Sequence, residues 1–400
     1  MMHIVKQQHG RKEGARKLIT ISLCMIVKNE EDVLARCLDS VQHLVDEIVI
    51  VDTGSTDRTK EIARSYTARV IDFPWSDDFS AARNFSFSHA TMDYIFWLDA
   101  DDILPAEEQT KFLTLKRTLS SDIDSVTMIY SLAQDEYGKT ISSVRRNRLV
   151  KRSNGFRWHG VVHEYLEVWG TILNSDITII HQPNRCASDR NLQIYERQLA
   201  QGAEFSPRDL FYFANELFDH QQYERAIQYY EQFLQTKKGW VEDCIAACGK
   251  VADCFDALGD EEQAFRYVYQ SFEYDTPRAE CCCRLGYYFL QRKQYRLAAF
   301  WYHLATQLTM PSDSWGFVHH ACWTWLSHLQ LCVCYFYMGE YELAYQHPIS
   351  LAQNASGIIT GLNVPVNTGD RLLMAFFITT SGLSIAASVT GYASAGVAIS

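Results

Sequence analysis

Three aspartates near the start of the chain have the side chains and positions of metal or phosphate ligands. Asp52 ends the apolar run "IVIVD", and Asp99 and Asp101 directly follow the apolar run "YIFWL". Alternate residues of an extended segment face the same side, so Asp99 and Asp101 can point at one ion. Paired carboxylates suit Mg²⁺ or Mn²⁺, which take further ligands from phosphates and water. A D-x-D pair alone is weak evidence, but a buried strand before it makes the signal strong.

The stretch "GFRWHGVVHEYLE", residues 155–167, is a second candidate for chemistry. It places His159 and His163 four residues apart, with Glu164 next. A zinc site would need both histidines on one face of a strand, and Glu164 would then point to the other face. A catalytic base is the second interpretation. Buried, hydrogen-bonded histidines are the third, and they explain His159 better than His163.

The segment from residue 19 to about 100 alternates strand-like and helix-like patterns. The predicted strands are "LITISLCMIV", "DEIVIVD", "ARVIDF" and "DYIFWLD", and the predicted helices are "EDVLARCLDSVQHL", "STDRTKEIARSY" and "DFSAARNFSFSHA". The last helix should begin near Asp78 or Ser80. This alternation predicts a parallel sheet with helices on both faces. Ligands of such sheets bind at the carboxyl edge, where Asp52 and Asp99 should lie.

Residues 122–181 should extend the sheet with further strands. A hairpin turning at Gly138 is predicted first, and "DITIIHQ" closes the region. Within it, Arg145, Arg146 and Arg148 are candidates for contacts with a diphosphate or an acceptor. A solvated basic strand explains these arginines almost as well.

Helical patterns replace strand patterns from about residue 188. The alanines Ala226, Ala264, Ala298 and Ala344 recur at spacings of 38, 34 and 46 residues in similar contexts. These spacings are close to the ~34-residue period of tetratricopeptide repeats, with insertions in two units. Residues 188–353 are therefore predicted to form an all-α tetratricopeptide-like solenoid with a concave, peptide-binding face. A non-repeating helical bundle is the alternative.

The two ends of the chain differ from the rest. Residues 1–18 are basic and lack the apolar core of a secretory signal, so we expect a solvated extension. Residues 354–400 carry no charge after Arg371 and are rich in small and β-branched residues. They favour a short β-rich tail over a C-terminal membrane anchor.

The net charge and the cysteine content argue against some classes of function. The formal net charge of −11 argues against general nucleic-acid binding. The 12 cysteines match neither a C-x-x-C pair nor a small disulfide scaffold. Without an export signal, we expect a cytoplasmic location and structural thiols.

The motifs in residues 19–181 resemble, in combination and order, the family 2 glycosyltransferases of the GT-A fold. Those motifs are "ISLCMIVKNEEDVLARCLDSV", "DEIVIVDTGSTDRT", "DFSAARNFSFSHA" and "YIFWLDADD". The resemblance implies a Rossmann-like nucleotide-diphospho-sugar transferase domain over residues 19–187. Pyrophosphorylases have a similar fold, but they need a glycine-rich basic loop where this chain has "MIVKNEE".

The resemblance also implies roles for residues of the nucleotide site. Asp52 is expected to contact the base or ribose, and Asp99 and Asp101 to lie at the metal and diphosphate. Arg83 and Asn84 match the family's "ARN" helix and are candidates for the nucleotide pocket.

"RWHGVVHE" and "IIHQ" resemble elements of a bacterial subgroup that includes the sublancin-type peptide S-glycosyltransferases. This implies that Glu164 is the general base, that His163 lines the site, and that His181 is a third metal ligand. Zinc becomes the weaker interpretation of the two earlier histidines. The subgroup also joins its catalytic domain to helical repeats.

The sequence therefore predicts an inverting, Mg²⁺- or Mn²⁺-dependent glycosyltransferase that uses a nucleotide sugar, with UDP favoured, and a peptide or protein acceptor. Transfer to a saccharide or lipid-linked acceptor is one alternative. An inactive tetratricopeptide interaction protein is another, and the intact Asp52, Asp99, Asp101 and Glu164 argue against it. The tail resembles the end of collagen-like exosporium glycoproteins of spore-forming bacilli, which implies a spore-former as source. The tail is then either a fusion that associates the enzyme with the spore surface or a decayed remnant.

Overall fold

The computed structural model describes residues 18–135, 138, 140–184, 189–310 and 315–344, and two strands near the C-terminus. The predicted basic extension, apart from residue 18, and most of the predicted tail lie outside the described residues. The chain divides into two compact units, Met1–Tyr212 and Phe213–Ser400.

The first unit begins with the predicted parallel strands and helices. The strands are β1 (Ile21–Val27), β2 (Glu47–Asp52), β3 (Val70–Asp72) and β4 (Tyr94–Trp97), and the helices are α1 (Leu34–Val41), α2 (Thr59–Tyr66) and α3 (Phe79–Ser88). The strands pair in parallel in the order β3-β2-β1-β4. Helix α3 begins after Asp78, whose side chain accepts a hydrogen bond from the backbone N–H of Ala81. The predicted parallel sheet is therefore confirmed.

Longer strands extend this sheet beyond β4. The elements are β5 (Asp102–Ile103), α4 (Ala106–Thr118), β6 (Ser125–Gln134), β7 (Thr140–Lys151) and β10 (Ile172–His181). The order continues β4-β7-β6-β10-β5, and β6 and β7 form the predicted antiparallel hairpin around Gly138, whose φ is 78°. A separate small hairpin pairs β8 (Arg157–His159) with β9 (Tyr165–Glu167), after a 3-10 turn at Arg152–Asn154.

The two faces of the sheet are covered by different elements. On one face, Leu23, Met25 and Phe96 pack against apolar residues of α1 and α4. On the other face, Cys24 and Trp97 pack against α3 and the β8–β9 hairpin. Alternate strand residues thus serve opposite cores, which explains the continuous apolar runs in the sequence.

Strand direction brings several ends to one edge of the sheet. β4 and β6 are both antiparallel to β7, and β10 is parallel to β6. The carboxyl ends of β1, β2, β4 and β10 therefore lie on the same edge. That edge carries Asp52, the segment Asp99–Asp102 and His181.

Helix α5 (Arg190–Ala200) belongs to the first unit. Its Tyr195 is fully buried, and Arg197 pairs with Asp77 at 2.9 Å. The division between the units falls within α6 (Pro207–Asp219), later than the change of sequence pattern near residue 188. The predicted repeat boundary stays a prediction.

The second unit is mainly helical. Its elements are α7 (Tyr223–Gln235), α8 (Val241–Leu258), α9 (Glu261–Gln270), a 3-10 turn (Ser271–Glu273), α10 (Ala279–Gln291), α11 (Tyr295–Gln307), β11 (Val318–His319), α12 (His320–Trp323), α13 (Leu326–Tyr337) and helical residues 341–344. The marker alanines Ala226, Ala264, Ala298 and Ala344 are all buried. The predicted order of a mixed α/β domain and then a helical region is confirmed, and the tetratricopeptide assignment stays a prediction.

The described part of the tail consists of β12 (Leu373–Thr379) and β13 (Gly382–Ser388), which pair antiparallel. The predicted β-rich tail stays a prediction. Among the described helices, none is both long and apolar enough to span a bilayer. The described cysteines are free thiols, and all except the half-buried Cys322 are buried.

Helices α10 and α11 approach closely at Gly286. A Cβ atom there would lie 2.7 Å from the ring of Tyr302, which is almost fully buried and cannot move aside. We expect Gly286→Ala to destabilise the protein by about 1–3 kcal/mol, through overpacking. Urea unfolding measures the change.

Gly249→Ala is a matched control, because Gly249 lies inside α8 and its new Cβ would have only ordinary contacts, the nearest at 3.8 Å. That variant should be neutral or stabilised by about 0.5–1 kcal/mol, through the better helix propensity of alanine. Equal effects of the two substitutions would contradict the close approach.

Candidate active site

Asp52 organises the loop that follows β2. Its Oδ1 accepts hydrogen bonds from the backbone N–H groups of Gly54 and Ser55, both at 2.9 Å. Its Oδ2 is buried and has no hydrogen-bond partner among the described residues. Buried carboxylate oxygens are usually paired, so Oδ2 is free to accept a hydrogen bond from a ligand.

A cluster of three side chains can hold a cation at the carboxyl edge. Ligand atoms of Asp101, Asp102 and His181 all lie within 4.8 Å of one another. The strand β5 pairs with the end of β10, which sets His181 opposite Asp102. Asp102 Oδ1 is buried without a hydrogen-bond partner among the described residues, so it fits an open ligand position. Two carboxylates and an imidazole form a donor set suited to a divalent metal.

The neighbouring carboxylates favour the protonated, positively charged form of His181. Burial by itself would lower the pKa of His181, but the carboxylates of Asp101 and Asp102, which lie 3.6 and 3.9 Å from its Nδ1, raise it to about 10. Tyr130 also contacts its Nδ1 at 2.8 Å. At neutral pH a proton therefore occupies the imidazole, and a bound metal would displace it.

Asp99 does not belong to that cluster. Its Oδ1 accepts a hydrogen bond from Nη2 of Arg83 at 2.6 Å, and Nε of Arg83 donates to Glu164 at 2.5 Å. Burial would raise the pKa of Asp99, but the charges of Arg83 and Arg148 lower it to about 2. One ion-paired group thus contains Asp99, Arg83 and Glu164. The sequence had indicated each of them as a candidate site residue for a different reason.

Arg148 forms a fully buried ion pair with Asp102 at 3.0 Å. Its guanidinium also lies 3.9 Å from the ring centre of Trp97 and 4.4 Å from that of Tyr130. In this conformation the charge of Arg148 is paired with Asp102 inside the protein and is not presented to a diphosphate or an acceptor. The sequence-based suggestion of such a contact is therefore wrong for Arg148, which instead supports the acidic loop from below.

The other two arginines of β7 point in opposite directions. Arg146 shares a face with Arg148 and lies 5.9 Å from the ring centre of Tyr130. Arg145 turns to the other face, where it donates to Thr127 at 3.1 Å and to the backbone of Ser175 at 2.7 Å. The side chain of Arg145 is thus hydrogen-bonded within the sheet.

The stretch with two histidines is a hairpin and not one continuous strand. His159 ends β8 and pairs with Glu167 at 3.0 Å, whereas His163 lies in the connecting loop with a φ of 50°. The ring of His163 stacks on Tyr212 with centres 4.5 Å apart. The strand geometry used to weigh a zinc site is therefore wrong here.

Asn84 fastens the same hairpin to α3. Its side-chain amide donates to the backbone oxygen of Trp158 and accepts from the backbone N–H of Trp158, both at 2.9 Å. Both ends of the amide are used by the protein. Its place in a nucleotide pocket stays a prediction.

Sequence reasoning missed Asp102, Tyr130 and the two tryptophans beside Arg83. Asp102 stood in the acidic run "DADD", so its type was visible, but its role depended on β5 pairing with β10. Trp97 and Trp158 looked like ordinary core residues, because only the folded chain brings them around Arg83.

Comparison with known proteins finds a family that matches most of the first unit. Residues 22–166 match the family described as Glycosyl transferase family 2. The chain therefore contains a family 2 glycosyltransferase domain, as its motifs predicted.

Two curated relatives are similar to part of this chain. A TPR repeat-containing protein of Synechococcus elongatus is 38% identical over 149 residues, which are 37% of this chain and 35% of that protein. The SPbeta prophage-derived glycosyltransferase SunS of Bacillus subtilis is 31% identical over 244 residues, which are 55% of this chain and 54% of SunS. The chain thus spans about half or less of the length of these relatives.

Among solved structures, glucosyl-3-phosphoglycerate synthase from Mycobacterium tuberculosis, in complex with Mn²⁺ and UDP-glucose, aligns at 19% identity with a TM-score of 0.35. The alignment covers 51% of this chain and 87% of the synthase.

The buried pair of Asp102 and Arg148 yields a prediction about stability. Arg148→Met should destabilise the protein by about 3–5 kcal/mol, because it leaves a buried carboxylate without its counter-charge. Adding Asp102→Asn to that variant should restore a large part of the loss. Urea unfolding at neutral pH without metal measures both.

Arg145→Met is the control, since Arg145 lies half-buried in the same strand and, within the described residues, its hydrogen bonds go to neutral oxygens of Thr127 and Ser175. It should cost about 1–2 kcal/mol. A loss in Arg148→Met no larger than this would contradict the importance of the buried pair.

Proposed function

We propose that the protein is an inverting, metal-dependent glycosyltransferase of the GT-A fold that moves a sugar from a nucleotide sugar to a peptide or protein acceptor. The observation that carries the proposal is the contact of one arginine, Arg83, with both Asp99 and Glu164. It sets a candidate base beside Asp99, which lies next to the residues expected to hold the cation of the donor diphosphate. The match to the glycosyltransferase family supports the same chemistry.

The donor would bind along the carboxyl edge of the sheet. Asp52 has an unused, buried oxygen for a hydroxyl or N–H group of the nucleoside. Asp101, Asp102 and His181 would hold Mg²⁺ or Mn²⁺, with Asp99 next to them. When bound, the cation stabilises the negative charge that develops on the leaving diphosphate.

Glu164 would act as the general base. One of its oxygens is held by Arg83, which leaves the other to accept the proton of an acceptor hydroxyl or thiol. As that proton leaves, the acceptor atom bonds to the anomeric carbon. The bond from that carbon to the diphosphate oxygen breaks, and the nucleoside diphosphate departs on the opposite side. General-base assistance is worth about 10²–10⁴-fold in rate.

His163 would line the site beside the base. His163 lies next to Glu164, and its backbone oxygen accepts two hydrogen bonds from Arg208 at 3.0 and 3.3 Å. The resemblance of "RWHGVVHE" and "IIHQ" to the sublancin-type peptide S-glycosyltransferases favours a peptide over a saccharide acceptor, and the tetratricopeptide-like helices would provide its extended surface. A cytoplasmic enzyme, with the tail directing it to a spore surface, completes the proposal.

Glu164→Gln tests the base. The amide keeps the shape of the side chain but cannot take a proton, so the rate of UDP release from UDP-glucose with Mn²⁺ should fall by about 100-fold or more. Binding of UDP with Mn²⁺, measured by calorimetry, should change by less than about threefold.

Glu167→Gln is the control, because Glu167 lies in the same hairpin with an exposed side chain. It should keep the parent rate. A Glu164→Gln variant that loses UDP affinity and rate equally would indicate a structural residue.

Asp101→Asn and His181→Ala test the cation site. Each should weaken Mn²⁺ binding in the presence of UDP by roughly 10–100-fold or more, because a ligand atom is lost. Titration of free Mn²⁺ by electron paramagnetic resonance measures this. Asp176→Asn removes an exposed carboxylate and should leave the affinity unchanged. Unaltered Mn²⁺ affinity in both site variants would contradict the assignment.

A further inference from the structure

Helix α3 holds the β8–β9 hairpin and its loop at several points along its length. At its first residue, the N–H of Phe79 donates to the backbone oxygen of Val161 at 3.0 Å. One turn later, Asn84 binds both backbone groups of Trp158. Between them, Arg83 binds Glu164. The loop that carries the candidate base is therefore fastened to one rigid helix.

Arg83 is itself restrained on several sides. Its guanidinium carbon lies 4.8 Å from the ring centres of both Trp97 and Trp158, and these two rings meet edge to face at 85°. The side chain is only 9% exposed. Flat guanidinium groups pack well against aromatic faces, and the fork of N–H groups has a fixed geometry. The directions of its two charged hydrogen bonds are thus set by the two indoles.

We propose that Arg83 is a positioning residue that fixes Glu164 and Asp99 relative to each other, an inference that rests on the proposed function. It differs from the nucleotide contact that the family resemblance implies for this arginine. Two of the guanidinium nitrogens are already bound to protein carboxylates, at 2.5 and 2.6 Å. Arg83 therefore holds Glu164, on the hairpin loop, and Asp99, after β4, at fixed positions relative to each other.

This role predicts which kinetic parameter changes. A positioning residue that does not touch the nucleotide should affect the rate of the bound complex more than the affinity for the donor. Arg83→Ala should lower kcat for Mn²⁺-dependent UDP release from UDP-glucose by about 100-fold or more, which is the range for a misplaced base. KM for UDP-glucose should change by less than about threefold. A large rise in KM with kcat unchanged would overturn the inference and leave the proposed function intact.

Chemical rescue of the Arg83→Ala variant distinguishes a loss of positioning from a loss of folding. Arg83→Ala leaves a guanidinium-shaped space between two indoles and two carboxylates, so added guanidinium ion should recover activity in a saturable manner. Arg83→Lys should be rescued poorly, because its ammonium group fills the space but cannot form the fork. Glu164→Gln should gain nothing. Arg64→Ala, an exposed arginine of α2, controls for general effects of guanidinium. Recovery that is equal in all variants, or absent from Arg83→Ala with an unchanged melting temperature, would overturn the inference.

A measurement without turnover tests the contact itself. In ¹⁵N-labelled protein, the Nε–H signal of Arg83, assigned by its loss in Arg83→Lys, should shift and exchange faster with water in Glu164→Gln. An unchanged signal would overturn the inference. A shifted signal in a protein that turns over no nucleotide sugar would support the contact and count against the proposed function.

Discussion

The buried ion pair between Asp102 and Arg148 is the interaction on which the geometry of the site depends. Asp102 is fully buried, and its Oδ2 accepts from Arg148 and also from the backbone N–H of Asp99, each at 3.0 Å. The turn after β4 is closed by this side chain. The direction of Asp99, toward Arg83, and that of Asp101, toward His181, follow from this turn. Isolated buried charges are costly, so each partner is retained only because the other is present.

Most of the first unit could be predicted from local sequence patterns. The strands β1 to β4 are apolar runs of strand length, and α3 starts at a capping aspartate, so periodicity and capping sufficed. The edge that carries Asp52 and Asp99 followed from the rules of parallel sheets.

The parts that escaped prediction depend on residues far apart in sequence. His181 was expected near Asp101, but Asp102 and Arg148 meet only because β7 pairs beside β4. Similarly, the zinc interpretation treats "RWHGVVHE" as one strand. Gly160, with a φ of 96°, and His163, with a φ of 50°, turn it into a hairpin. Backbone angles of this kind are common for glycine, but for histidine they require tertiary support, which Arg208 and Tyr212 give to His163.

Charge balance explains why these groups can coexist in so small a volume. Four carboxylates, those of Asp99, Asp101, Asp102 and Glu164, are joined by contacts to Arg83, Arg148 and His181. The two arginines offset half of that negative charge. The raised pKa of His181 lets a proton offset part of the remainder. A divalent cation in place of the proton would offset all of it, and Arg83 and Arg148 would keep their partners. The His181 position is therefore the one at which a proton could be exchanged for a cation, whereas Arg83 and Arg148 stay paired with carboxylates.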